Sequence, residues 1–189
     1  MNTGDRFIVI TGGPGSGKTT LIEALSRAGL QTMPEAGRAI IRDQTRIGGR
    51  GEHRQDKALY AELMLQWELR SWNEAQTLPG TVAFDRGLPD IIGYLALYAG
   101  HVPDHVRRAA GLYRYNPTVF IAPPWPAIYL RDAERVQTYQ ESVETAEAMA
   151  RAYSESGYGL VSLPLASVEA RVDFVLSQLG RTAARNAAP

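Results

Sequence analysis

Short blocks of consecutive apolar residues alternate along this chain with longer stretches whose apolar residues return every three or four positions. The first pattern predicts strands buried on both faces and the second predicts amphipathic helices, so together they predict an α/β fold with a mostly parallel sheet. Phe7-Ile8-Val9-Ile10-Thr11 is the first such strand. A glycine-rich turn leads from it into a helix over 17–28 that Gly29 closes. A weak second strand over 30–33 precedes a helix, beyond Pro34, that carries Ala36, Ala39, Ile40 and Ile41. The polar, Gly- and Arg-rich stretch 48–55 reads as an exposed loop. Tyr60, Leu63, Met64 and Trp67 then follow i, i+3, i+4, i+7 spacing along a long helix. The third strand covers 81–84 and stops at Asp85, helices are expected over 90–99 and 103–113, and the fourth strand covers 118–122. Pro123-Pro124-Trp125-Pro126 breaks that strand, a polar helix follows over 134–156, and a fifth strand over 160–163 precedes a helix over 168–179 capped by Ser167. Five strands with crossover helices make a three-layer sandwich.

A length of 189 residues suits one domain over 1–180, followed by a low-complexity tail, 181–189, expected to be frayed and disordered. No internal repeat is visible. Lys plus Arg and Asp plus Glu both number 20, so no net positive charge favours a nucleic-acid partner. Cysteine is absent, which excludes disulfides, thiolate metal sites and a cysteine nucleophile, and His53, His101 and His105 lack zinc-site spacing. The first apolar run is too short for a signal peptide and follows Asp5 and Arg6. No stretch reaches the ~20 apolar residues that span a bilayer, so a cytoplasmic protein without a membrane partner is expected. The pattern leaves oligomerisation open.

The most specific chemical signal is Gly12-Gly13-Pro14-Gly15-Ser16-Gly17-Lys18-Thr19, which fits G-x-x-x-x-G-K-[ST] without departure. An apolar strand precedes it and an amphipathic helix follows, the context the motif requires. Glycines let the backbone turn its N–H groups onto phosphates, and the helix N-terminus adds partial positive charge beneath the same anion. Lys18 is placed to reach the β- and γ-phosphates, and the Thr19 hydroxyl to ligate magnesium. ATP with magnesium is the expected cofactor pair.

Three further clusters fall at carboxyl ends of predicted strands, where open α/β sheets collect ligands. Asp85 ends the third strand as a magnesium-shell carboxylate, a general base for a substrate hydroxyl, or a turn cap, and Arg86 beside it is a phosphate or substrate partner or a solvated residue. Glu35 and Arg38, about one helical turn apart, hold a sugar hydroxyl and a phosphate, or else pair with each other at a helix start. Arg131 and Arg135 share a helix face as a phosphate-clamping lid, or neutralise Asp132 and Glu134 on a wet helix.

Taken together, the motif 12–19, Pro34-Glu35-Ala36-Gly37-Arg38, Phe84-Asp85-Arg86, and Arg131 with Arg135 resemble the NadR-like group of AAA-domain predicted ATPases, which includes the nicotinamide riboside kinase domain of NadR. More distantly, Asp85-Arg86 resembles the Asp-Arg pair of deoxynucleoside and thymidylate kinases. The resemblance covers 7–179. It implies a P-loop nucleoside/nucleotide-kinase fold with strand order 2-3-1-4-5, a preference for adenine, and a lid over about 123–140. It also implies that Glu35 and Arg38 lie near a phosphoryl acceptor, Asp85 at the catalytic centre and Arg131 and Arg135 in the lid. Two features are expected to depart from NadR: these 189 residues show no adenylyltransferase domain, and 48–55 carries no recognisable nicotinamide-riboside pocket.

The expected activity is transfer of the ATP γ-phosphoryl to a small nucleoside-like or other hydroxyl acceptor, with Trp67, Tyr94 and Trp125 as candidate stacking residues. The alternative is a regulatory ATPase or switch that makes no phosphorylated small molecule. A GTPase form fits poorly, because Asp90-Ile91-Ile92-Gly93 falls within a helix and no N-K-x-D element occurs. An AAA+ machine also fits poorly, lacking an Asp-Glu pair at a strand end and a helical lid domain.

Overall fold

The computed structural model describes residues 3–129 and 138–186. A 3-10 turn leads into strand β1 (Phe7–Gly12), helix α1 (Lys18–Arg27), strand β2 (Gln31–Met33) and helices α2 (Ala36–Ile47) and α3 (Lys57–Ala75). Strand β3 (Val82–Asp85), helices α4 (Leu88–Tyr98) and α5 (Asp104–Leu112) and strand β4 (Thr118–Ala122) follow. A second 3-10 turn (Pro126–Ile128), helix α6 (Tyr139–Glu155), strand β5 (Gly159–Ser162) and helix α7 (Val168–Asn186) complete the described chain.

The five strands form one sheet in the order β2-β3-β1-β4-β5, and every pairing is parallel. β1 therefore lies centrally and is covered on both faces, which explains its unbroken apolar run. Successive side chains of a strand point to opposite faces. Phe7 and Val9 accordingly join Phe84, Leu88 and Tyr153 in one core layer, while Ile8 and Ile10 join Leu21, Leu25 and Phe120 in the other. α1 and α7 cover the second face, and α3 to α6 the first. Among the described residues no helix is long and apolar enough to cross a membrane.

Several element bounds shift from the sequence expectation for identifiable reasons. β3 runs through Asp85, because its register with β1 continues to the pair Ile10–Asp85. α4 begins at Leu88 rather than Asp90: Gly87 is its cap, Pro89 sits in the first turn, and the Asp90 carboxylate returns to the Gly87 N–H (3.0 Å). Proline is tolerated there because first-turn N–H groups have no partner within the helix. α6 starts behind Thr138 in a capping box with Glu141. The sequence places that start at Glu134, which lies outside the described residues. α7 continues to Asn186, into the segment whose composition suggests a tail.

Candidate active site

β1 delivers the chain to the top of the sheet at Gly12, and α1 starts at Lys18, so residues 13–17 must reverse direction within one short loop. Two glycines there have specific reasons. A Cβ on Gly13 would stand 2.2 Å from the Ser142 carbonyl oxygen of α6, and Gly15 has φ +78° with the Tyr129 ring 2.5 Å from where its Cβ would be. The loop is held by its own polar groups: Ser16 Oγ donates to the Gly13 carbonyl (2.8 Å), and Ser142 Oγ donates to the Pro14 carbonyl (2.6 Å). Lys18 Nζ curls back under it, donating to the Gly13 carbonyl (2.7 Å). Gly17 offers α1 no side-chain cap. The first-turn N–H groups thus have no side-chain acceptor at the cap, the arrangement in which a helix N-terminus receives an anion. Burial, with the nearby Arg86 charge, lowers the Lys18 pKa to about 8.

Beside this loop lies a knot of ion pairs. Arg86 follows β3 with φ +76°, the one non-glycine residue at positive φ among the described residues, and its amide donates to the Ile10 carbonyl (3.0 Å). The guanidinium is largely buried. Its Nε donates to Glu35 (3.0 Å), and its Nη1 to Asp90 (2.9 Å) and to the Gly12 carbonyl (3.1 Å). Glu35 holds the N-cap position of α2, but its side chain makes no cap hydrogen bond; it is aimed across the sheet edge at Arg86, with Arg38 3.6 Å from its other oxygen. Burial alone would raise the Glu35 pKa, but the charges of Arg86 and Lys18 outweigh it and hold the carboxyl below its ordinary value.

Asp90 is the residue whose importance the sequence concealed. Its carboxylate accepts from Thr11 Oγ1 (2.6 Å), Arg86 Nη1, the Gly87 N–H and Tyr153 OH (2.7 Å), joining β1, the β3 end, α4 and α6. Both oxygens are engaged by protein donors, so Asp90 acts as an anchor for Arg86. Spacing from Gly87 was a usable signal, since an acid three residues after a cap belongs to the first helical turn.

Asp85 differs. It is 3% exposed, its Oδ1 has no hydrogen-bond partner, and burial with the nearby Glu35 charge pushes its carboxyl up to about 6. A buried carboxylate oxygen without a donor beside a phosphate loop suits a cation ligand. Among the described residues no group of three or more His, Cys, Asp or Glu side chains is arranged to hold a metal by itself.

A cavity of about 1460 Å³ opens from the phosphate loop. Gly15, Gly17, Lys18 and Thr19 wall one region of it; Glu35, Arg38, Arg86 and Asp90 wall the next. Beyond them the lining turns aromatic and apolar, with Tyr60, Tyr94, Tyr98, Met64 and Met149. Asp85 is not on the wall. Of the candidate stacking residues, Tyr94 and Trp125 line the cavity, whereas Trp67 packs against Ala36, Ile40 and Tyr60. Arg171, which sequence reasoning missed, ties α7 to the phosphate loop: Nη1 donates to the Ser16 carbonyl (2.9 Å) and Nε to the Pro164 carbonyl (2.8 Å), while its guanidinium lies 4.9 Å from the Trp125 ring centre. Arg131 and Arg135 lie outside the described residues.

The geometry has counterparts among known proteins. The M. mycoides deoxyadenosine kinase, solved with dCMP and dCDP, superposes with a TM-score of 0.67 at 14% identity, over 93% of this chain and 99% of that one. NadR in complex with NR gives a TM-score of 0.69 at 18% identity, over 92% of this chain and 50% of that one, so this chain spans half of NadR. Thymidylate kinase from Ehrlichia chaffeensis gives 0.61 at 16% identity, over 92% and 97%. A comparison with curated protein sequences gives no significant match. A family model described as "AAA domain" matches residues 7–171. The sheet order and helical layers are those of the P-loop nucleoside and nucleotide kinases on which the chain superposes, and the chain belongs to the AAA domain family.

Proposed function

We propose that this protein is an ATP-dependent kinase that transfers the γ-phosphoryl group to a hydroxyl of a small nucleoside-like acceptor. The carrying observation is one continuous cavity that has phosphate-binding chemistry at Lys18 and Thr19 and an aromatic chamber at Tyr60, Tyr94 and Tyr98, with Glu35 and Arg86 between. A hydrolytic switch needs no second chamber. Phosphoryl transfer asks a protein mainly for positioning and charge stabilisation. Loop amides and Lys18 grip the polyphosphate, and Arg86, held by Glu35 and Asp90, offers its fixed positive charge beside the transferring group. Glu35, kept ionised on the cavity wall, accepts a hydrogen bond from the acceptor hydroxyl and aims it. Magnesium, held by Thr19 and Asp85, would neutralise charge on the phosphates. Arg131 and Arg135 would close over them as the lid.

Label from γ-labelled ATP should appear on at least one member of a nucleoside panel. Hydrolysis indifferent to every acceptor would overturn the kinase reading.

Asp85→Asn should lower turnover at least about 100-fold while nucleotide affinity changes little, because it deletes a magnesium ligand and leaves the phosphate loop intact. Equal losses in both would contradict that role. The same variant has a stability signature. Because the folded carboxyl titrates near 6 and the unfolded one near 3.8, the native state binds more protons in that window, and stability falls as pH rises through it. Asp85→Asn should therefore melt above wild type at pH 7 and level with it at pH 4.

Activity should follow a bell in pH. kcat/KM for ATP should decline below about pH 6, as Asp85 is protonated, and above about pH 8, as Lys18 loses its proton. Bound phosphates favour the ammonium, so the alkaline limb of kcat should lie higher than that of kcat/KM. A flat profile between pH 5 and 9 would contradict both assignments.

A further inference from the structure

Glu68 occupies a position where a core helix ordinarily carries an apolar side chain. On α3 it shares the buried stripe with Tyr60, Ala61, Leu65, Ser71 and Ala75, and it is 4% exposed. It has no hydrogen-bond or ion-pair partner among the described residues, and Arg86 is the weakest of the charges that act on it. It nevertheless forms part of the cavity wall. Tyr94 of α4 lines the same cavity, and its hydroxyl is buried and without a hydrogen-bond partner, although the ring is well packed, edge-on to Tyr60 at 5.3 Å and tilted against Tyr98 at 5.2 Å.

Buried polar groups are ordinarily satisfied, because each unpaired one costs stability. Two residues of one cavity wall that carry polar groups without hydrogen-bond partners, among the apolar lining of Met64, Met149 and Ile91, are the pattern of a ligand site: apolar walls with a few polar atoms. Burial first, then the charges of Asp90, Asp85 and Glu35, raise the Glu68 pKa well above its ordinary value, and a carboxyl buried without a cation partner favours its neutral form. A neutral carboxyl presents an O–H donor and a C=O acceptor side by side. Its complement is a planar group with adjacent acceptor and donor atoms, such as a ring carboxamide or the lactam edge of a nucleobase. An anionic substituent would meet the ionised Glu35 on the same wall and would leave the Glu68 C=O facing a second acceptor.

We infer that Glu68, assisted by the Tyr94 hydroxyl, selects the phosphoryl acceptor, favouring a riboside whose flat ring carries an adjacent donor and acceptor and rejecting its anionic counterpart. This deepens the kinase reading and rests on it.

Two matched pairs test it: nicotinamide riboside against nicotinic acid riboside, and inosine against purine riboside, which lacks the lactam. kcat and KM are measured for wild type, Glu68→Gln, Glu68→Leu and Tyr94→Phe. Wild type should favour the first member of at least one pair about tenfold or more in kcat/KM. Glu68→Leu should erase that preference through a KM raised about tenfold with little change in kcat, and should melt above wild type, since it removes an unpaired buried carboxyl. Glu68→Gln, which keeps a donor beside an acceptor, should retain most of the preference, and Tyr94→Phe should weaken it. An unchanged preference in Glu68→Leu overturns the inference and leaves the kinase reading standing, as does a Glu68→Leu melting point below wild type together with unchanged KM. Failure of wild type to phosphorylate any acceptor in a broad panel overturns both.

Discussion

Lys18→Ala is expected to lower phosphoryl transfer by about 10³-fold or more while leaving the fold intact. Lys18 is 6% exposed, and the hydrogen bonds of its ammonium go to the Gly13 carbonyl and, at 3.5 Å, Ser16 Oγ. Holding a charge there is unfavourable unless an anion arrives, and burial accordingly lowers its pKa to about 8. Alanine removes that cost from the free protein and removes the main positive charge from the liganded one. The ligand-free melting temperature should hold or rise, and stabilisation by added Mg-ATP should largely vanish. Transfer assays and melting curves with and without nucleotide measure both effects. Retained transfer in a folded Lys18→Ala protein would remove the phosphate loop from the active site.

Arg86→Ala is expected to be the most destabilising single change at the site, on the order of 3–5 kcal/mol. It strands the Glu35 and Asp90 carboxylates in a largely buried place and withdraws a donor from the Gly12 carbonyl at the start of the phosphate loop. Breaking a buried pair from one side leaves an uncompensated charge, which costs more than the pair contributes. The backbone adds a separable effect. At φ +76° a residue with a Cβ is strained, so Arg86→Gly should be more stable than Arg86→Ala by about 1 kcal/mol. Denaturant titration of the two variants against wild type resolves both effects. If Arg86→Ala loses less than about 1 kcal/mol, the knot is solvated and Arg86 has no fixed orientation to offer a substrate.

Lys18 and Arg86 also mark the boundary of what could be read from the linear chain. The loop 12–19 needs only local rules: glycines where the backbone turns and packs closely, a lysine and a hydroxyl at the head of the helix, and an apolar strand before it. Sheet order came from resemblance rather than from spacing, and the parallel register agrees with it. Arg86 read equally well as a surface residue, because nothing in its neighbours shows that Glu35, 51 positions away, will meet it. Asp90 lay in a formal D-x-x-G element and was set aside as helical. It is helical, and its task is to join Thr11, Arg86, Gly87 and Tyr153, which only tertiary packing brings together.

The linear order of residues thus determined by itself the α/β alternation, the phosphate loop and the sheet edge at which chemistry gathers, because helix period, strand burial and glycine conformations are short-range properties. Which carboxylates are paired, which is orphaned and which is pushed towards its neutral form depended on contacts between α2, α3, α4 and α6. Charge states follow from burial and from neighbours distant in the chain, so Glu68, an unremarkable acid in an amphipathic helix, acquires its meaning only when the fold encloses it.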